Sequence, residues 1–324
     1  MNTFSLKEFL NKPLYQYGKT KVNWLKSILP IIIIIHHISN LGFPGIGIIG
    51  AMGRIVMYIF FAMSGYGLVI SYIKNEHYIN GFLRKSLTKL FIPYFVTLAL
   101  FVIYRYFEGI DQVTLFKVNG LYSFVPTSWY IWTLSYFYIF YFLVFRYVKS
   151  NIFIKVVLTC ALVSGYIIIA PLIGIESWRY TRCPAFCIGM LFGLFDNTIR
   201  TKFVRWHALI ALALLVLFFI QPLGHRLDVC IYPIAFFIFM YIIRDLKEIR
   251  IVKFLSSISL EMFIIQYIPI YIATNDLHLT STYIVVSLVL ILDIILAYII
   301  HFCIQRAKHF MERWKDGRSD NHTR

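Results

Sequence analysis

Two adjacent histidines, His36 and His37, follow a run of five isoleucines near the start of the chain. A neutral imidazole can accept a proton as a general base, or can be transiently acylated as a nucleophile. Lys26 lies eleven residues before His37, and on a helix the two side chains point within about 20° of each other, about 16 Å apart along the axis. His36 points about 80° away from Lys26. The spacing favours His37 as the partner of Lys26 in a shared site.

Both residue types also have ordinary explanations. A lysine at the cytoplasmic end of a membrane helix commonly only sets topology, and a single buried histidine is commonly a packed, hydrogen-bonded residue. Two neighbouring histidines within an isoleucine run are harder to explain by packing, because isoleucine is less costly at membrane depth. The pattern alone leaves a structural role and a catalytic role open.

The elements that must hold these residues are membrane helices. The chain has 324 residues, of which 60% are hydrophobic and 14% are charged, whereas soluble domains carry about 25% charged residues. A soluble fold could not bury this much apolar surface, and the aromatic content excludes disorder. We therefore predict an all-α integral membrane bundle of about ten transmembrane helices. The predicted spans are 25–42, 46–73, 90–108, 129–147, 152–174, 183–196, 204–223, 228–243, 252–273 and 283–304.

Lysine and arginine are distributed unequally between the alternate connections of this bundle. Twenty-five of the 31 basic residues lie in the tails and loops that share one side, and six lie in the other segments. The positive-inside rule then places both termini in the cytoplasm. The predicted domains are a cytoplasmic tail (1–22), a transmembrane domain (23–304) and a basic cytoplasmic tail (305–324). The net charge of +16 is thus explained by the membrane, and we predict no nucleic-acid partner.

Other polar residues of the predicted membrane region are also candidates. Ser64 lies in the run Phe60 to Gly67, whose small residues are also typical of close helix packing. Three cations of the predicted inner loop 74–89 can bind phosphate or anchor the chain to anionic lipid: Arg84, Lys85 and Lys89. Glu261, in the ninth span, can form an ion pair that holds helices together or can polarise a proton path. Cys183 and Cys187 share a helix face, but without histidine or acidic neighbours we predict no metal site.

These motifs together resemble the acyltransferase-3 family of multi-pass membrane acyltransferases. Lys26 and His37 match the family's basic residue, ten intervening residues and histidine. The run Phe60 to Tyr66 is similar to its Phe-Phe-x-x-Ser-Gly-aromatic motif. Phe82 to Pro93 is similar to its basic loop ending in proline, and Ser128 to Ile131 resembles the Trp-aromatic-aliphatic start of a later span. The resemblance covers roughly residues 24–304 and is to the stand-alone type.

Two departures limit what the resemblance implies. Ser86 stands where the family often has arginine, so a phosphate site depends on the three remaining cations. Gln266 stands where many members have a histidine near the end of the domain. No role for a second distant histidine is therefore carried over to this chain.

The resemblance implies transfer of an acyl group, commonly acetyl, from a coenzyme A thioester to a hydroxyl of an envelope or exported carbohydrate or lipid-linked glycan. It implies no permanently bound cofactor, since acetyl-CoA is a substrate, and a place in the bacterial cytoplasmic membrane. His37 is then the general base or nucleophile, kept neutral by burial, and Lys26 holds the donor. The remaining roles implied are for His36 as orienting residue, Ser64 as oxyanion donor, Trp129 and Arg182 as sugar contacts, and Glu261 as an ion-pair or proton-path residue.

Two other classes of protein fit the composition. A transporter or flippase of an envelope precursor would use the buried charges to line a substrate path. It predicts discontinuous helices and internal symmetry, and the sequence shows neither. A polytopic scaffold predicts no defined cavity.

Overall fold

A computed structural model describes residues 19–43, 52–109, 125–196, 198 and 246–321. Every regular element within these ranges is helical, and six described stretches are long and apolar enough to cross a membrane. A helical multi-pass membrane protein is therefore confirmed, while the count of ten and the side of each terminus stay predictions. The predicted spans 204–223 and 228–243 lie outside the described residues. The α-helices are α1 (Lys19–Asn40), α2 (Gly53–Lys74), α3 (Ile79–Phe107), α4 (Ser128–Tyr147), α5 (Ile152–Ile169), α6 (Ser177–Tyr180), α7 (Pro184–Leu194), α8 (Arg250–Ser257), α9 (Ser259–Ile265), α10 (Tyr267–Tyr271) and α11 (Thr282–Asn321).

Helix α3 begins eleven residues earlier than the predicted third span. A short 3₁₀ turn, Glu76–Tyr78, precedes it, and the Asn75 side chain caps that turn by accepting from the backbone N–H of His77. No proline follows until Pro93, so nothing stops the helix from forming before the membrane is reached. The predicted loop is therefore wrong over residues 79–89, and its three cations lie on the first turns of a helix.

Two predicted spans are not single membrane-crossing helices. Helix α7 has 11 residues and measures roughly 17 Å, too short for a hydrocarbon core of about 30 Å. The predicted span 252–273 is divided into α8, α9 and α10 and continues into a π-helical turn, Ile272–Asp276.

The break between α9 and α10 has two local causes. The Gln266 side chain donates to the Phe263 carbonyl at 2.7 Å, and so competes with the backbone ladder. Pro269 lacks the N–H that would bond to the carbonyl four residues earlier. This protein therefore contains an interrupted membrane helix, which the sequence did not show.

The chain folds into two compact units, each described here separately. Unit 1 contains Met1–Leu25, Met52–Lys85 and Thr133–Arg250. Unit 2 contains Lys26–Ala51, Ser86–Trp132 and Ile251–Arg324.

Unit 1 is organised around the close packing of α2 on α7. A Cβ atom on Gly65 would overlap the Phe186 carbonyl, and one on Gly189 would overlap the Ala62 carbonyl. Glycine at both positions lets the two backbones meet, as is typical of membrane helices. At Gly67, by contrast, a Cβ atom would meet nothing within 4 Å.

Unit 2 is built around an apolar cluster contributed by α1, α3, α9, α10 and α11. Helix α11 contributes a row of buried apolar residues along one face. Helix α1 contributes Ile34 and Ile38, on either side of the two histidines. This packing places the histidine region of α1 in the same unit as the interrupted helix. The other members include Phe101, Met262, Ile265, Ile270, Val285, Val289, Ala297 and Ile300.

The glycine packing of unit 1 gives a stability prediction. Gly189→Ala should lower the free energy of unfolding by about 1–3 kcal/mol, because an added methyl group must push apart two backbones. Gly67→Ala is the matched control and should be neutral or slightly stabilising, since alanine is the better helix former. Thermal unfolding of the purified protein in detergent measures both. Equal stability of the two variants would contradict the close packing of α2 on α7.

Candidate active site

His37 is paired with a tyrosine from the interrupted helix. Its Nδ1 lies 2.9 Å from the Tyr267 hydroxyl, and the two rings are tilted with centroids 5.0 Å apart. When the tyrosine oxygen accepts from Nδ1–H, Nε2 keeps its lone pair for a proton or an acyl group. When the phenol donates to Nδ1 instead, Nε2 carries the proton and can do neither. The contact therefore bears directly on the chemistry open to His37.

His36 has a different environment from its neighbour. Its Nε2 lies 3.2 Å from the Asn40 side-chain amide, one turn further along the same helix. The rings of the two histidines are 5.4 Å apart and tilted. Both side chains are half-buried. His37 thus reaches a second helix of unit 2 through Tyr267, in line with the predicted difference in direction.

Lys26 lies at the other end of the shared helix face and is influenced by the charge of a second lysine. Its side chain is half-buried, and the charge of Lys89 on α3 acts on its ammonium group. Two like charges held together raise the free energy of the site unless an anion lies near both. The structure therefore unites two of the residues predicted to bind the donor.

Arg84 and Lys85 precede Lys89 on α3, and all three side chains are exposed. Lys85 and Lys89 lie one turn apart and therefore on the same side of the helix. The helix offers a cationic surface at its N-terminal end, where a phosphate group can be bound with little desolvation.

Ser64 lies in unit 1 and is engaged within its own helix. Its hydroxyl donates to the Phe60 carbonyl at 3.0 Å. An oxyanion would have to displace this bond before it could accept from the serine. The predicted role of Ser64 therefore carries an extra energetic cost.

The two predicted sugar contacts lie in different units. Trp129, at the start of α4 in unit 2, is buried, and its ring is 6.1 Å from that of Tyr130. Arg182 lies in unit 1, half-buried, with its guanidinium 5.9 Å from the Trp178 ring. Burial leaves the Trp129 ring little surface for a sugar.

Glu261 has a partner that the sequence did not reveal. Its Oε1 lies 2.8 Å from Nδ1 of His301 on α11, and the two side chains are 7% and 24% exposed. The pairing joins α9 to α11 across 40 residues of sequence. It supports the interpretation of Glu261 as a residue that holds helices together.

Sequence reasoning missed three polar residues of the membrane region: Tyr267, His301 and Lys155. Lys155 lies near the start of the predicted span 152–174, where it is buried and donates to the Tyr72 hydroxyl at 2.8 Å. His301 and Lys155 both lie near one end of a predicted span, where a polar residue is ordinary and does not indicate a buried contact. Tyr267 carried no signal at all, because tyrosine is common throughout this chain.

Within the described ranges no group of three or more histidine, cysteine or acidic residues could hold a metal ion.

A family model described as an acyltransferase domain matches residues 19–302 of the chain. The match includes both histidines, the cations of α3 and the interrupted helix. No curated protein and no solved structure matches the chain.

Proposed function

The chain belongs to the acyltransferase-3 family, and we propose that it transfers an acyl group, with acetyl the simplest case, from a coenzyme A thioester to a carbohydrate hydroxyl. The observation that carries this proposal is the pairing of His37 with Tyr267 at 2.9 Å. His37 stands at the position of the family's histidine, in a helix that crosses the membrane. The proposal places the enzyme in the bacterial cytoplasmic membrane, where a cytoplasmic donor and an exported acceptor can both reach it.

The proposed reaction uses Nε2 of His37. As general base it takes the proton of the acceptor hydroxyl while the oxygen attacks the thioester carbonyl. The carbon–sulfur bond then breaks, and the thiolate takes the proton from Nε2, which leaves an ester and coenzyme A. In the nucleophilic form, Nε2 attacks the thioester carbonyl and the coenzyme A thiolate leaves. The acceptor hydroxyl then attacks the acyl carbon, the carbon–Nε2 bond breaks, and the thiolate takes the hydroxyl proton, which leaves an ester, coenzyme A and neutral His37. Both forms need the same free lone pair.

Tyr267 acts in this proposal as a positioning residue. In the tautomer in which Nε2 is free, its oxygen accepts from Nδ1–H, and the same bond stabilises the imidazolium formed when Nε2 takes a proton. The contact also fixes the orientation of the ring. His36, which lies against Asn40, would have a supporting role.

The donor end of the proposed site lies where Lys26 and Lys89 approach each other. The phosphates of coenzyme A would neutralise the repulsion between the two ammonium groups and gain charge-assisted hydrogen bonds. Arg84 and Lys85 would extend the same surface. The separation of about 16 Å between Lys26 and His37 along α1 leaves room for the pantetheine arm.

A transporter or flippase of an envelope precursor is the second candidate, and the interrupted helix of residues 250–276 favours it. The two hypotheses differ in what they consume, because a flippase does not hydrolyse acetyl-CoA. Release of free coenzyme A by the purified protein therefore separates them. Membership in an acyltransferase family favours the enzyme.

The proposed donor site gives a prediction about removal of a positive charge. Lys89→Ala should raise the KM for acetyl-CoA by about tenfold or more, since a hydrogen bond to a charged group contributes about 1.5–3 kcal/mol. Lys74→Ala is the matched control, because it removes the same charge from the exposed end of α2. Steady-state kinetics with varied acetyl-CoA measures both. Equal KM values for the two variants would place the phosphates elsewhere.

The two histidines give the second prediction. His37→Ala should slow acyl transfer by at least about 10²-fold, the lower end of general-base contributions. His36→Ala should keep substantial activity, because the helix turns its side chain about 80° away from the face shared by Lys26 and His37. The measurement is acetylated acceptor formed per amount of folded protein.

Transfer at the wild-type rate by His37→Ala would refute the proposed mechanism. Loss of activity in His36→Ala alone would keep the enzyme class but overturn the assignment of the catalytic face of α1.

A further inference from the structure

A group of polar and aromatic side chains lies at the C-terminal end of α3, at the opposite end from its cations. The Tyr104 hydroxyl lies 2.9 Å from Oε1 of Glu108 and 3.1 Å from Oδ2 of Asp276. Arg105 Nη1 donates to Oε2 of Glu108 at 2.8 Å. These four residues, with Tyr271, are here called the α3 polar end, and all belong to unit 2.

The hydrogen-bond donors and acceptors of the α3 polar end are not all paired with one another. A phenol has one proton, so Tyr104 can donate to only one of the two carboxylates at a time. The other carboxylate oxygen then takes its hydrogen bond from solvent or from a bound molecule, since Asp276 is exposed. Arg105 has a donor that lacks an acceptor, since its buried Nε has no hydrogen-bond partner among the described residues. The group therefore keeps one acceptor oxygen and one donor, Arg105 Nε, that are not paired within it.

A hydroxyl group fits this imbalance because it donates one hydrogen bond and accepts others. Two aromatic rings stand beside the polar atoms. Tyr104 and Tyr271 are stacked at 6.5 Å with an angle of 14°, and the Arg105 guanidinium lies 5.3 Å from the Tyr271 ring. Flat apolar rings next to convergent hydrogen-bonding groups are suited to a ring-shaped molecule with many hydroxyls.

The α3 polar end is connected to His37 by a line of aromatic rings. Tyr271 is 5.7 Å from Tyr267, one helical turn earlier, and Tyr267 is 5.0 Å from His37. One turn corresponds to a rise of about 6 Å, which is comparable to the width of a sugar ring. A hydroxyl of a molecule bound at Tyr271 can therefore approach the imidazole.

The backbone beside these residues is unusual. Asp276 ends the π-helical turn Ile272–Asp276, and His278 two residues later has a φ of 48°. Single π-helical turns are frequent at functional sites, and a non-glycine residue with positive φ stores strain. Both features set the position of the Asp276 carboxylate relative to Tyr104.

We propose that the α3 polar end binds the carbohydrate acceptor and presents one of its hydroxyls to His37; this rests on the proposed acyltransferase function. Two carboxylates and one guanidinium give the site a net negative charge, so it selects a neutral or basic sugar over a phosphorylated one. Lys89 and Arg105 lie sixteen residues apart on α3, about 24 Å. Donor phosphates and acceptor therefore bind at opposite ends of one helix.

The test uses the full-length protein in detergent, with radiolabelled acetyl-CoA as donor. The acceptor probe is envelope carbohydrate extracted from a strain without the gene and treated with mild base to remove its acyl groups. Asp276→Asn is the main variant, since the side chain is exposed and its loss should not impair folding. We expect its KM for the probe to rise about tenfold, as for one hydrogen bond to a charged group, while its KM for acetyl-CoA stays within twofold.

Two further variants separate binding from a structural clamp. Glu108→Gln should raise the same KM. Glu176→Gln is the matched control, because it removes the carboxylate of another Arg–Glu pair three residues apart, and should change neither KM. A purely structural role would lower thermal stability and change both KM values together, and that result would overturn the proposal.

The remaining outcomes are also decisive. An unchanged probe KM in Asp276→Asn, with active wild-type protein, would reject this acceptor site and leave the acyltransferase function standing. Failure of the wild-type protein both to acetylate the probe and to release coenzyme A would reject the proposed function and this inference with it.

Discussion

The hydrogen bond between His37 and Tyr267 is the interaction on which the proposed chemistry depends. An imidazole at membrane depth must find a hydrogen-bond partner, because water is scarce there and an unsatisfied polar group is costly. The partner comes from the start of α10, directly after the helix break. The break at Gln266 and the apolar cluster of unit 2 together define the position of that hydroxyl. A straight helix over 250–276 would present a different set of side chains to α1.

Charge is arranged along α3 in a way that suits two different substrates. Its N-terminal end carries exposed cations, one of which lies close to Lys26, while its C-terminal end carries two carboxylates and a guanidinium. An anionic donor is attracted to the first end and repelled from the second. In the proposed enzyme this helix would sort donor and acceptor by charge, and His37, like Lys89 and Arg105, belongs to unit 2.

The parts of this account that the sequence predicted are those that depend on local pattern. Hydropathy predicted helical membrane spans, and the structure has six such helices in the part of the chain that it describes. The choice of His37 over His36, made from the eleven-residue spacing, stays a prediction. Gly65 was correctly seen as a possible packing residue, because small residues in membrane helices have few other uses.

The parts that the sequence could not predict depend on the tertiary pairing of distant helices. Tyr267 lies 230 residues from His37 and is one of 23 tyrosines, so no spacing rule could select it. The Glu261–His301 pair requires the relative register of α9 and α11. The polar composition of residues 79–89 looked like a loop, although α3 already begins at Ile79 and no proline interrupts it before Pro93. The helix break follows from a side-chain hydrogen bond of Gln266, which hydropathy does not record.

The most direct test of the account is the single-turnover rate of acetyl transfer by Tyr267→Phe. This substitution keeps the ring and removes only the oxygen that lies 2.9 Å from Nδ1 of His37. The account predicts a rate at least about tenfold lower, with an unchanged KM for acetyl-CoA, because a hydrogen bond to the charged imidazolium contributes about 1.5–3 kcal/mol. Tyr283→Phe, at an exposed position of α11, should transfer at the wild-type rate. A wild-type rate in Tyr267→Phe would contradict the claim that Tyr267 prepares His37 for catalysis.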